Sequence, residues 1–287
     1  MTALATPFKD GALDEAAYRS LIDFQIENGT AVLIPMGTTG EPATMTAAER
    51  TRAIKICVEQ NKGRAMVFAG TGSNSTQDSV ENTKQARELG CDGAMLVTPY
   101  YNRPTQQGLV EHFKAVAKAN AGYPLIAYNV PTRTGVDLLP ETAEKLCAID
   151  EVVALKEATG QILRCLDVRE RCGDRLTLLS GDDFIVAPFI ACGGKGVISV
   201  SANVVPKQMS ELVAAGLKGD TRRALEIQLK LQPLHRLLFI ESNPIPVKMA
   251  LHLMGKFSKE LRLPLVEMTE TNAAKLKEAL RALGTLS

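Results

Sequence analysis

The sequence has little charge imbalance and no long apolar run, and each shortage excludes a class of protein. Its formal net charge is +1, from 33 basic and 32 acidic residues, and no basic stretch of the kind that binds nucleic acid is present. The apolar runs are far shorter than the roughly 20 residues that a helix needs to cross a bilayer. We therefore expect a protein that binds neither nucleic acid nor membrane.

The six cysteines form no CxxC pair. In a chain of 287 residues they are typical of reduced, buried thiols rather than of a disulfide framework. The first residues also lack the basic, then apolar, then small-residue pattern of a secretion signal. These features predict a cytoplasmic protein.

Motifs for metal, nucleotide and hydrolytic chemistry are missing as well. The three histidines (His112, His235 and His252) fall in helical segments, without the second histidine of an HExxH motif. The sequence has no GxSxG elbow and no GxxxxGK[ST] phosphate loop. Gly70-Thr-Gly72 lacks the third glycine of a dinucleotide-binding turn. We therefore expect no metal and no cofactor.

What the sequence does contain is a repeated rhythm of short apolar runs rich in β-branched residues. The runs are continuous rather than alternating, as in strands buried on both faces of a parallel sheet. They comprise residues 2–6, 31–34, 65–68, 93–97, 124–128, 152–155, 176–179 and 196–200. Because proline cannot donate to a strand ladder, Pro35 predicts that the second run ends at Ile34.

Amphipathic stretches of helical period separate these runs. The clearest are residues 46–60, 74–89, 105–119 and 141–148. A Thr46-Ala-Ala-Glu49 capping box opens the first, and Gly90 follows the second in a helix-stop position. Eight strands alternating with helices favour an α/β fold, a (β/α)₈ TIM barrel, over residues 1–205.

The chain after residue 205 predicts helices only. Their expected ranges are 207–216, 221–239, 246–255 and 271–283. No long Gly/Ser-rich or Pro-rich linker precedes them. We therefore predict a C-terminal helical extension, residues 206–287, packed on the barrel rather than an independent domain.

Lys156 is the most informative residue, because chemistry in this fold collects at the carboxyl ends of the strands. It ends the run Val152–Leu155. A lysine in the barrel mouth loses hydration, which lowers its pKa and leaves more of the nucleophilic neutral amine. Such an amine attacks a keto carbon to form an imine. The ordinary alternative is a lysine that reaches solvent or pairs with Glu157.

Other strand ends carry polar groups that are weak signals individually. The phenol of Tyr128 can relay protons, the turn Gly37–Gly40 can cradle a carboxylate, and Arg133 can fork onto a second carboxylate. Each also has an ordinary reading as a packed ring, a plain turn or a solvated arginine. Asp182 and Asp183 are equally suited to capping the next helix.

Taken in order, these strand-end motifs form a specific set that covers nearly the whole chain. The set comprises Gly37-Thr-Thr-Gly-Glu41, Val97-Thr-Pro-Tyr-Tyr-Asn102, Tyr128-Asn-Val-Pro131, Lys156-Glu-Ala-Thr159, Ser180-Gly-Asp-Asp183, Gly196-Val-Ile-Ser-Val200 and Asn243-Pro-Ile-Pro-Val-Lys248. It closely resembles the dihydrodipicolinate synthases, which belong to the pyruvate-dependent class I aldolases together with N-acetylneuraminate lyase.

The resemblance implies a role for each matching residue. Lys156 would form the imine with pyruvate, and Thr38 and Thr39 would hold the pyruvate carboxylate. Thr39 would also relay protons with Tyr128. Tyr101 matches a relay tyrosine that this family inserts from a neighbouring subunit, which implies a homotetramer built as a dimer of dimers.

The resemblance also bears on substrate choice. Arg133 matches the arginine that receives the carboxylate of aspartate 4-semialdehyde, while Gly181 and the carbonyl of Ile198 would lie at the pyruvate pocket. Lyases for sialic acid typically carry Gly-Ser-Thr-Gly in the first turn and lack this arginine. Gly-Thr-Thr-Gly and Arg133 therefore favour the synthase.

A possible effector site departs from the pattern of family members that lysine inhibits. Its matching positions are Ala43, Asn74, Asp78 and Tyr100. Ala47 and Arg50 stand where inhibited bacterial enzymes often carry histidines, and Asp78 replaces the usual glutamate. A shorter carboxylate and an added cation both disfavour a cationic effector, so we expect weak or absent inhibition by lysine.

The sequence thus predicts an enzyme that condenses pyruvate with L-aspartate 4-semialdehyde in lysine (diaminopimelate) biosynthesis. One alternative is another pyruvate-dependent aldolase or a 2-keto-3-deoxy-sugar-acid dehydratase of the same family. A second is a catalytically silent barrel that only binds a keto acid or a partner protein. Trapping of pyruvate on Lys156 discriminates the enzyme from the silent barrel.

Overall fold

The computed structural model describes residues 1–286, so Ser287, the last residue of the predicted helical extension, lies outside the described part. Its strands are β1 (Thr2–Ala3), β2 (Phe8–Lys9), β3 (Ala12–Leu13), β4 (Val32–Ile34), β5 (Met66–Gly70), β6 (Gly93–Val97), β7 (Leu125–Asn129), β8 (Val152–Glu157) and β9 (Thr177–Ser180). Its helices are α1 (Glu15–Glu27), α2 (Ala47–Asn61), α3 (Thr76–Glu88), α4 (Gln106–Ala119), α5 (Pro131–Thr134), α6 (Pro140–Leu146), α7 (Ile162–Cys172), α8 (Val186–Ala191), α9 (Pro206–Leu217), α10 (Thr221–Leu238), α11 (Ile245–Leu253) and α12 (Glu270–Ala282).

Seven parallel strands form a curled sheet in the order β1-β4-β5-β6-β7-β8-β9. A short segment after α8 occupies the eighth position and joins the two edges. Ser180 N–H donates to the carbonyl of Gly196 at 2.9 Å, and Ala3 N–H donates to the carbonyl of Ser199 at 3.0 Å. The predicted TIM barrel is therefore confirmed, with the closing segment paired to β9 on one side and to β1 on the other.

The closing segment is less regular than the predicted strand 196–200. It pairs through isolated bridges at Val197 and Ser199 only. Gly196 enters with φ of +152°, and a 3₁₀ turn over Ser201–Asn203 follows at once. The chain therefore leaves the sheet before a regular ladder can form.

Local signals in the sequence set several element boundaries. The capping box forms, with Thr46 Oγ1 accepting from Glu49 N–H. Gly90 follows α3 in the left-handed conformation, with φ of +87°, and β4 ends at Ile34, directly before Pro35. These predicted boundaries are confirmed.

Other elements lay outside the sequence prediction. The predicted helices do not include α1, α5, α7 or α8. The side chain of Asp14 caps α1 by accepting from Ala17 N–H at 3.0 Å. A small β2–β3 hairpin was also missed. Its Asp10-Gly11 turn has positive φ at both residues, 53° and 79°, which is the geometry that an Asp-Gly pair favours.

The helices after residue 205 pack directly on the barrel. Leu212 of α9, Leu231 of α10 and Leu276 of α12 are fully buried. They share one hydrophobic cluster with Leu4, which follows β1, and with Leu33 of β4. The layer is therefore continuous with the barrel core, and the boundary at residue 205 stays a prediction. Within the described residues, no helix is both long and apolar enough to cross a membrane.

Candidate active site

The strand register brings Lys156 and Tyr128 together. The two residues are direct partners in the parallel pairing of β8 with β7. Both are buried, with 5% of Lys156 and 6% of Tyr128 exposed. Lys156 Nζ lies 4.1 Å from the centroid of the Tyr128 ring. An amine and a phenol therefore share one enclosed position at the carboxyl end of the barrel.

The buried position changes the acidity of Lys156. Burial lowers its pKa from 10.5 to about 8; Asp183 opposes this shift, and the cationic Arg133 adds to it. Glu157 does not pair with the lysine, because its carboxylate accepts from Asn129 Nδ2 at 3.0 Å and from a backbone N–H. The reading of Lys156 as a solvated or Glu157-paired lysine is therefore wrong.

Tyr128 keeps its proton in this environment. Burial raises the pKa of its hydroxyl to about 12, an effect that Arg133 and a hydrogen bond with Thr38 only partly offset. A neutral phenol can both donate and accept, which is the property that a proton relay needs.

The turn after β4 places two threonines at the same end of the barrel. Thr38–Gly40 forms a single 3₁₀ turn closed by a 2.8 Å hydrogen bond from Gly40 N–H to the carbonyl of Gly37. Thr39 is buried, and its Oγ1 accepts from Asn243 Nδ2 at 3.1 Å. The turn therefore presents two hydroxyls whose positions are fixed by the surrounding chain.

A cavity of about 890 Å³ opens over these residues. Thr38, Tyr128 and Arg133 lie in its wall, together with Asn243 and Pro244. The Arg133 side chain is exposed and donates from Nη2 to the carbonyl of Asn243 at 3.2 Å. A guanidinium in the same cavity wall as Tyr128, the ring beside the Lys156 amine, suits a substrate with a distal carboxylate.

Gly181 contacts the end of β8, the strand that carries Lys156, and Ile198 contacts the end of β9. Gly181 N–H donates to the carbonyl of Glu157 at 2.6 Å, and Ile198 N–H donates to the carbonyl of Ser180 at 2.9 Å. A Cβ atom at Gly181 would lie 2.5 Å from Ala158 Cβ. Only glycine therefore allows the two strand ends to approach this closely.

Two features of this region differ from the sequence prediction. Asp183 does not cap the next helix, because its Oδ2 accepts from the N–H groups of Val200 and Ser201 at 3.0 and 2.8 Å. Asn243 was quoted only as part of a motif, yet it contacts both Thr39 and Arg133. Asn243 and its two partners are far apart in the sequence, so local patterns could not predict these contacts. The motif Asn243–Lys248 was the one sequence feature that pointed to Asn243.

Comparison with known proteins agrees with this geometry. The model of the dihydrodipicolinate synthetase family matches residues 1–283. The chain belongs to the dihydrodipicolinate synthetase family.

Individual relatives cover almost the full length. The 4-hydroxy-tetrahydrodipicolinate synthase of Citrifermentans bemidjiense is 54% identical over 96% of this chain and 95% of its own. The dihydrodipicolinate synthase structure from Aquifex aeolicus is 46% identical, with a TM-score of 0.97 over 99% of this chain and 97% of that one. A structure described as a monomeric dihydrodipicolinate synthase variant is 42% identical, with a TM-score of 0.97 over 99% and 96% of the two chains.

Tyr101, the tyrosine predicted to act in a neighbouring subunit, is not among the residues that line the cavity of its own chain. It is 88% exposed. Its backbone is left-handed, with φ of 72°, and its N–H donates to the carbonyl of Thr134 at 3.1 Å. The side chain of Tyr101 is therefore exposed to solvent on a backbone that is anchored to α5, the short helix after β7.

The positions that match the family's effector site adjoin the same cavity. Ala43, Arg50, Asn74, Asp78 and Tyr100 all lie in its wall. Arg50 is half-buried, and its guanidinium donates to the carbonyl of Met45 at 2.8 Å. Whether these residues bind an effector stays a prediction.

Proposed function

We propose that this chain condenses pyruvate with L-aspartate 4-semialdehyde to give 4-hydroxy-tetrahydrodipicolinate, a step in lysine (diaminopimelate) biosynthesis. The family membership and the names of the relatives support the reaction. The single observation that carries it is the buried lysine of lowered pKa, about 8, in contact with a neutral tyrosine at the mouth of the barrel.

In the proposed mechanism the neutral amine of Lys156 attacks the keto carbon of pyruvate. Tyr128, with Thr39, moves the protons that convert the carbinolamine to an imine with loss of water. Loss of a methyl proton then gives an enamine, whose carbon attacks the aldehyde of the second substrate. Ring closure by the amine of that substrate releases Lys156.

The remaining site residues are proposed to bind the carboxylates of the two substrates. Thr38 and Thr39 hold the pyruvate carboxylate, and Gly181 and the carbonyl of Ile198 complete the pocket around it. Arg133 receives the carboxylate of the second substrate, a role supported by its exposed guanidinium in the cavity wall. No metal or cofactor takes part in the proposed reaction.

We further propose a cytoplasmic homotetramer, a dimer of dimers, in which Tyr101 completes a neighbouring site. The exposure of Tyr101, 88%, supports this arrangement. A second apolar patch on α7, formed by Leu163 and Leu166 at 66% and 46% exposure, offers area for another contact between subunits. One relative is described as monomeric, so the assembly needs its own test.

Reductive trapping with pyruvate tests the mechanism. Borohydride treatment in the presence of pyruvate is expected to leave a 1-carboxyethyl group on the Lys156 nitrogen, which peptide mass mapping locates. A protein that binds pyruvate without trapping at any lysine would contradict the imine mechanism. Assays with other aldehydes and with 2-keto-3-deoxy sugar acids then separate the synthase from its relatives.

A further inference from the structure

One segment of the C-terminal layer contacts the threonine turn at two places, on either side of its last glycine. Asn243 Nδ2 donates to Thr39 Oγ1 at 3.1 Å, and Lys248 Nζ pairs with Glu41 Oε1 at 2.5 Å. The bonds join residues 204 and 207 positions apart in the chain. We call Asn243–Lys248 the brace segment.

The ion pair in this contact is completely enclosed. The side chains of Lys248 and Glu41 are both 0% exposed. The second carboxylate oxygen of Glu41 accepts from Arg262 N–H at 3.3 Å, and Lys248 Nζ lies 4.3 Å from the centroid of the Phe8 ring. A buried ion pair is seldom more stabilising than apolar side chains of the same size, so stability alone explains it poorly. The ion pair instead holds the Glu41 carboxylate in one fixed position.

A fixed Glu41 side chain also restrains the backbone of the adjacent threonine turn. Glu41 follows Thr39 by two residues and has a left-handed backbone, φ 55° and ψ 39°, which a residue with a side chain adopts only when its surroundings hold it there. On the opposite side the turn meets the segment that follows β1: a Cβ at Gly40 would lie 3.2 Å from both the carbonyl of Leu4 and Thr6 Oγ1. The turn is thus held between the barrel and the brace segment.

We infer that the brace segment positions the threonine turn for catalysis, with Lys248 acting through Glu41 and Asn243 acting through Thr39. Lys248 acts as a positioning residue for the keto-acid carboxylate and has no contact with the reacting atoms. The inference rests on the proposed function, because it assumes that the turn receives this carboxylate.

The test removes the charge pair and keeps groups of similar size. The double variant Glu41→Gln/Lys248→Met is expected to raise KM for pyruvate about 10-fold or more, because small misplacements of a binding group are amplified in this way. The final extent of reductive trapping on Lys156 at saturating pyruvate is expected to change less than about threefold, because the amine is untouched. The value of kcat is expected to fall as well, because Thr39 also serves the proposed proton relay.

Two further variants serve as a control for general destabilisation and as a second probe of the brace segment. Leu276→Ala in α12 creates a cavity in the same helical layer, lowers Tm and is expected to leave KM for pyruvate unchanged. Asn243→Ala keeps the ion pair and removes only the bond to Thr39, so it carries the same test if the double variant does not fold. It is expected to raise KM for pyruvate as well.

The outcomes separate the inference from the proposed function. Folded variants with the wild-type KM for pyruvate overturn the role of the brace segment. A rise in KM for Leu276→Ala equal to that of the double variant also overturns it, since any destabilisation would then suffice. Failure of the wild-type protein to be trapped by pyruvate contradicts the proposed function instead.

Discussion

Lys156 has a pKa that sets the pH range in which it can react. With a value of about 8 instead of 10.5, roughly 1% of the amine is neutral at pH 6 and about half at pH 8. The initial rate of trapping by pyruvate and cyanoborohydride is therefore expected to rise about tenfold per pH unit below 8 and to level off above it.

Free lysine serves as the control for this profile, since its rate continues to rise beyond pH 9. Mass spectrometry of the Lys156 peptide gives the rate for the protein. If the trapping rate of the protein reached half of its plateau value only near pH 10.5, burial would not depress the pKa of this amine.

The burial of Lys156 also destabilises the folded protein at neutral pH, where the buried amine carries a charge. A depressed lysine pKa means that the unfolded chain binds more protons between pH 8 and 10.5, so the penalty is complete below 8 and disappears as pH rises to 10.5. A shift of this size corresponds to about 3 kcal/mol. Lys156→Met is therefore expected to be inactive, and more stable than wild type at pH 7 by up to about 3 kcal/mol.

Urea unfolding at pH 7 and pH 10, at equal protein concentration, checks this prediction. The stability difference is expected to shrink at the higher pH. Lys195→Met at an exposed position is the control and is expected to change stability by less than about 0.5 kcal/mol. Destabilisation by Lys156→Met at pH 7 would refute the argument.

The strands β8 and β9 depend on a glycine for their close approach. In Gly181→Ala, the new methyl group would lie 2.5 Å from Ala158 Cβ, so the two strand ends must separate. We expect a lower Tm and a KM for pyruvate raised about 10-fold, because Ala158 lies two residues beyond the reacting lysine. Adding Ala158→Gly is expected to restore part of both losses. A Gly181→Ala protein with wild-type Tm and KM would contradict this account.

The first turns of α2 and α3 carry the residues that we expect to set the response to lysine. The guanidinium of Arg50 and the short carboxylate of Asp78 lie in one cavity wall, where a cation repels the cationic effector. We expect initial rates to be insensitive to low concentrations of lysine. The triple variant Ala47→His/Arg50→His/Asp78→Glu is expected to gain inhibition. Strong inhibition of the wild-type protein would refute the prediction.

At the scale of the whole molecule, the exposed Tyr101 predicts that two subunits share each active site. Lys156→Met and Tyr101→Phe are each expected to be nearly inactive alone. In a mixed dimer, one site combines the intact lysine of one subunit with the intact tyrosine of the other. After subunit exchange, about a quarter of wild-type activity is expected, since half the dimers are mixed and each has one complete site.

Sedimentation at the assay concentration gives the size of the assembly for this experiment. Mixing either variant with Lys156→Met/Tyr101→Phe is the control and restores no site. Mixed dimers without recovered activity would show that Tyr101 does not complete a neighbouring site.

Local rules made much of this fold predictable. Pro35 ended a strand and Thr46 began a helix because each acts on its own backbone. The barrel followed from the strand rhythm, and Lys156 from its place at a strand end. The contact of Asn243 with Thr39 joins residues 204 positions apart, and no periodicity encodes such a pairing. The motif marked Asn243 without indicating its partner.

The pairing that closes the barrel also constrains the order in which the protein can acquire its structure. Asn203 donates to the carbonyl of Ala3, 200 residues earlier in the chain, and Leu276 and Leu280 of α12 share a cluster with Leu4. During synthesis on the ribosome, β1 precedes the closing segment by almost 200 residues. One edge of β1 therefore stays unpaired until most of the chain has been made. During that interval the half-built sheet has an open edge that can pair with other chains. We therefore expect the unpaired edge of β1 to be the part of the incomplete barrel that is most open to pairing with other chains.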